Sequence, residues 1–166
     1  MTTLISLMLA TLLFGGHMLY TFLQRKKTVE VLPVEAGPTA NATEDFTTPV
    51  RIQVGEMPMD ASLKYFVVRN DCMGPRHIYS GDLIGVQLLN DSFTISNIKK
   101  NDILLIHLDD ERFRGHKIRV MDHVGDNAFH TYYFVGKRQQ ASSEPHAFST
   151  ILGVVREVNH MRPRVE

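Results

Sequence analysis

From Val50 onward the chain has no long apolar stretch at helical spacing. Its apolar residues come in short runs broken by turn formers. The runs cover 50–54, 63–69, 83–89, 102–108, 117–122, 128–135 and 150–158, the length and residue types of β-strands. Between them lie Asn70-Asp71, Ser80-Gly81-Asp82, Asn90-Asp91, Asn101-Asp102, Arg114-Gly115 and Gly125-Asp126-Asn127. Asn, Asp and Gly tolerate the backbone of tight turns, so these pairs end strands. The pattern predicts a mainly β, compact sheet-on-sheet or barrel-like domain over 50–160, followed by a tail at 161–166.

The N-terminal part has a different composition. Lys+Arg and Asp+Glu both total 18, but residues 1–24 carry no charged side chain. The balanced total provides no global field for nucleic acid. Leu4 to Leu23 is a nearly unbroken apolar run, and its 20 residues match the ~20 that span a bilayer as a helix. Met1-Thr2-Thr3 lacks the basic start of a secretory signal, and Arg25-Lys26-Lys27 follow the apolar run instead of preceding it. The expectation is a single transmembrane α-helix with a basic flank at 1–27. The positive-inside rule then makes the chain a single-pass membrane protein with its C-terminal domain in the cytoplasm. Residues 28–49 contain Pro33, Gly37, Pro38 and Pro49 and read as an extended linker.

Chemistry concentrates around one segment. Asp71-Cys72-Met73-Gly74-Pro75, followed by Ile78-Tyr79-Ser80-Gly81-Asp82, sits at a turn after the run 63–69. It resembles the nucleophile segment of the LexA/UmuD and signal-peptidase superfamily, in which Ser-Met-x-Pro precedes a Gly-Asp turn. Here Cys72 stands where that serine would be, and Pro75, Gly81 and Asp82 match the structural positions of the motif. The resemblance covers roughly 34–158 and implies a compact β peptidase domain. It implies that a lysine on a later strand serves as base, kept neutral by burial among apolar groups. Lys117, 45 positions after Cys72, is the best match. Backbone N–H groups at Cys72 and Met73 would form the oxyanion site. LexA-type proteins cut themselves at Ala-Gly or Cys-Gly in the preceding arm, and Ala36-Gly37 lies here, with Gly37 35 residues before Cys72. The run 149–156 resembles the family's closing strand.

The implied function is self-cleavage at Ala36-Gly37 through a Cys/Lys dyad, releasing the cytoplasmic domain from its membrane anchor. The resemblance also implies a homodimer and a RecA-like activator, with the protein's own N-terminal arm or another protein as substrate. Two alternatives use the same fold: a catalytically inactive interaction or dimerisation module, and a trans-acting signal-peptidase-like membrane protease. A thiol has a reference pKa near 8.5 that nearby cations lower, so Lys117 beside Cys72 would favour thiolate. His116 neighbours Lys117 and on a strand should face the opposite way. The other histidines lack ligand spacing, and one cysteine is a poor zinc set, so no metal or cofactor is expected. No helix-turn-helix fits, which argues against sequence-specific nucleic-acid binding.

Overall fold

A computed structural model describes residues 27–36, 47–55, 57–71, 73–109, 114–142 and 145–161. They form nine strands: β1 (Lys27–Glu35), β2 (Val50–Gly55), β3 (Lys64–Arg69), β4 (Leu83–Leu88), β5 (Ile103–Asp109), β6 (Arg114–Val124), β7 (Phe129–Val135), β8 (Arg138–Ala141) and β9 (Ile151–Asn159). Their hydrogen-bonded order is β2-β1-β3-β4-β9-β5-β6-β7-β8, with a further pairing of β1 to β6. The described residues fall into two compact units: 27–29, 52–55 and 57 in one, and the rest in the other. In the smaller unit Val54 is buried, and its carbonyl accepts the Met57 N–H at 3.2 Å. The larger unit holds every site residue considered below.

The mainly β expectation holds. β5 is a continuous apolar run because both its faces are covered, as expected of a central strand. Leu105 joins a cluster with Val34, Ala36, Phe66, Val68, Met73, Ile78, Ile118 and Val120, while Leu104 and Ile106 join Phe93, Met121, Phe129, Ile151 and Val154. Gly153 lets β9 pack closely on β4. A Cβ there would lie 2.3 Å from the Gln87 carbonyl oxygen and 2.9 Å from Val86 Cγ1.

Two expectations need correction. The transmembrane α-helix has no counterpart: among the described residues the only helical stretches are the 3-10 turns Gly74–Arg76, Ile95–Asn97 and Phe148–Thr150. Three residues rise about 6 Å in such a turn, against ~30 Å of hydrocarbon, and no described helix is long and apolar enough to cross a membrane. Residues 4–23 lie outside the described residues. The single-pass membrane localisation and cytoplasmic orientation drawn from them are not supported. The second correction concerns the linker, whose first part is β1. This strand runs parallel to β3, with Leu32, Pro33, Val34 and Glu35 opposite Phe66, Val67, Val68 and Arg69. Pro33 gives up one backbone donor. Val31 and Val34 offset that loss by burial, each worth about 1.5–3 kcal/mol when fully removed from water.

The β1–β6 pairing is a single register point, Glu35 opposite Lys117. It closes β1, β3, β4, β9, β5 and β6 into a ring. The seam of that ring joins the segment before the proposed scissile bond to the strand of the proposed base.

Candidate functional site

The site is assembled from three segments: the end of β1, the loop after β3, and the middle of β6. Strand alternation decides what β1 presents. Val34 and Ala36, both 0% exposed, point into the cluster with Met73 and Ile78. Glu35, between them, points the other way and is also fully buried. Its Oε2 lies 3.1 Å from Lys117 Nζ, and the Lys117 side chain is 3% exposed. A buried charge is tolerated only when paired, so the two residues meet as an ion pair.

The loop after β3 is held from several directions. Asn70 takes a left-handed backbone, φ 71°, which Asn tolerates better than most residues. In that conformation its Oδ1 accepts the Ala36 N–H at 3.1 Å, which ties the arm to the loop. Its own N–H donates to Ser80 Oγ at 3.3 Å, and the Ser80 N–H donates to Asp71 Oδ1 at 2.6 Å. On the far side, the Met73 carbonyl accepts the N–H groups of Arg76 and Ile78 at 2.8 and 3.3 Å. Pro75 opens the 3-10 turn of Gly74–Arg76, where its missing N–H costs nothing. Gly81 has φ 88°, and its N–H donates to the Val68 carbonyl at 2.8 Å. Asp82, 4% exposed, accepts the Tyr79 N–H at 2.8 Å and lies 3.0 Å from His160 Nδ1. Its carboxylate closes the 79–82 turn, so its role is to shape the loop.

Cys72 and Gly37 lie outside the described residues. The neighbours of each are described: Asp71 and Met73 on one side, Ala36 on the other. The Ala36–Asn70 hydrogen bond therefore joins the residue before the proposed scissile bond to a residue two positions from the proposed nucleophile.

On β6, Lys117 and Arg119 share a face and are both buried. The Arg119 guanidinium donates to the Ile118 carbonyl at 3.0 Å and lies over the Tyr133 ring at 4.9 Å. His146 registers this positive region. Burial first, then the Arg119 and Lys117 charges, push its pKa down to about 4. His116 faces away from Lys117, with its ring 5.6 Å from Phe66 and 5.1 Å from His107. Burial is the main cause of its lowered pKa, followed by His107 and Lys64. Among the described residues no group of three or more His, Cys, Asp or Glu could hold a metal ion.

Sequence reasoning missed Glu35 and Asn70. Glu35 belongs to the Val-Glu-Ala-Gly segment singled out for its Ala-Gly bond, but a single acid in a linker reads as solvated. Asn70 reads as turn punctuation, and nothing local shows that its side chain reaches Ala36, 34 positions earlier. No protein-family model and no curated protein sequence matches the chain, which leaves the side chains themselves as the basis for a function.

Proposed function

We propose that this chain is a self-processing peptidase of the LexA/UmuD kind, with its own β1 as substrate strand, Ala36-Gly37 as the scissile bond, Cys72 as nucleophile and Lys117 as proton donor. The observation that carries this reading is the seating of the arm. Residues 32–35 pair in parallel with β3, in the strand-addition mode by which peptides enter clefts beside a sheet. The seated strand ends at the loop that contains Cys72.

The ion pair gives Lys117 a particular role. As an ammonium it cannot accept a proton, but it can stabilise a thiolate and later give a proton away. The Cys72 thiolate attacks the Ala36 carbonyl carbon. The bond to the Gly37 nitrogen then breaks, Lys117 protonates the leaving amine, and a thioester remains on Ala36. Water hydrolyses the thioester as neutral Lys117 takes a proton from it, which returns the thiolate and the ammonium.

The test is intact-mass analysis of the full chain incubated across a pH series, with and without RecA filaments, beside Cys72→Ala and Lys117→Ala. The expected result is a fragment beginning at Gly37 from the wild type and none from either variant. A wild-type chain that stays whole under every condition would instead support a binding module. That second reading is favoured by the buried ion pair itself, which also suits a strand held permanently in place.

A further inference from the structure

We propose that Lys117 also acts as a register key: it recognises a carboxylate on the residue before the small scissile residue, so the slot beside β3 accepts an apolar–acidic–small strand in one alignment only. The cleaved bond rests on the reading above, whereas the recognition stands on the seating of the strand alone.

A strand can slide along its neighbour, and backbone hydrogen bonding alone specifies register weakly. Here a slip of one residue would exchange the faces of β1. Val34 or Ala36 would then oppose Lys117 in place of the carboxylate, and Glu35 would enter the cluster around Met73. A slip of two keeps the faces but brings Pro33 or Gly37 to Lys117, and neither can pair with an ammonium. Only the alignment Glu35↔Lys117 buries both charges together. The same alignment seats Ala36, which has the smallest side chain that can fill that side of the strand, and brings its N–H to Asn70. The charge pair thus fixes which peptide bond follows the seated residue. The ligand class is an extended peptide carrying Glu before Ala.

The experiment uses the full chain in a Cys72→Ala background, where no cleavage interferes, and reads hydrogen–deuterium exchange of residues 30–36. Glu35→Gln and Glu35→Lys are compared with the parent and with the double reversal Glu35→Lys/Lys117→Glu. Breaking a buried pair should speed exchange of the arm by about 100-fold or more. Amides of β4 and β9 should keep their protection, and the double reversal should recover part of the arm's. Arm exchange in Glu35→Gln within about threefold of the parent would overturn the proposal. A reversal that fails to fold leaves Glu35→Gln and Glu35→Lys to decide it, because both change only the arm. Cleavage of the Cys72 chain is followed in parallel. Normal cleavage with no effect of Glu35 would sink the register key and keep the peptidase. Loss of arm protection in Glu35→Gln, with no cleavage in any chain, would sink the peptidase and keep the key.

Discussion

Asn70 offers the most direct test of whether the arm is clamped to the loop. Its Oδ1 accepts the N–H of a fully buried residue, Ala36, at 3.1 Å. Removing that acceptor strands a buried amide, which costs about 1–3 kcal/mol. Asn70 also has φ 71°. Alanine at such a backbone costs roughly 1–2 kcal/mol more, while glycine adds no such strain. Asn70→Gly should therefore weaken arm seating by about 1–3 kcal/mol and Asn70→Ala by about 2–5 kcal/mol. At about 1.4 kcal/mol per tenfold change, the glycine variant should speed exchange of the Ala36 amide by roughly 5- to 150-fold. Asn70→Asp keeps an oxygen acceptor and tolerates the backbone, so it should retain protection. The assay is amide exchange followed by NMR in a Cys72→Ala background, with urea unfolding to show that each variant stays folded. A folded Asn70→Gly chain whose Ala36 amide exchanges at the parent rate would refute the clamp.

Three further outcomes are expected. Cys72→Ser should leave no detectable self-cleavage by intact mass. Gly153→Ala should lower the unfolding free energy measured in urea by at least the ~1–3 kcal/mol typical of overpacking, because the atom 2.3 Å from the new Cβ is backbone and cannot swing away. His146, whose pKa is held at about 4 against its usual 6.5, binds a proton in the unfolded chain before it does in the folded one. Stability should therefore rise with pH between about 4 and 6.5. His146→Phe, which keeps a ring against Phe129, should flatten that slope in denaturation measured across the same window.

Much of the sheet was legible because most of its strands are short β-type runs closed by turn residues. Val50, Leu83, Ile103 and Phe129 all start strands within a residue of where the sequence indicates. β8 was not legible, since Arg138–Ala141 is exposed throughout and carries no apolar alternation. β1 was hidden by Pro33 within it and Pro38 in the segment after it. Pro33 and Pro38 read locally as linker, and only contact with Phe66, Val68 and Ile118, distant along the chain, turns Val34 and Ala36 into core. The loop chemistry divides in the same way. Gly81 and Asp82 announce a turn through their own backbone preferences, whereas Glu35 and Asn70 act through partners that lie 82 and 34 positions away.

The departures from a serine site make sense together. A serine hydroxyl needs a neutral amine to take its proton, and burial among apolar groups keeps a lysine neutral. In the proposed site Glu35, 3.1 Å from the amine, works against that condition, since a neighbouring carboxylate favours an ammonium. On the proposed dyad, serine at position 72 would meet an acid where it needs a base. A thiol does not need the neutral base: its reference pKa near 8.5 falls beside a cation, so the ammonium that disables a serine assists a cysteine. In the proposed cleavage the same ammonium would protonate the departing Gly37 amine, a step a neutral lysine performs only after the attack has charged it. The carboxylate is also lost with the arm after cleavage if the cut strand leaves, which would let Lys117 give up its proton. A site of the proposed kind would be primed by the strand it cuts and altered by that strand's departure, so cleavage in place would be self-limiting.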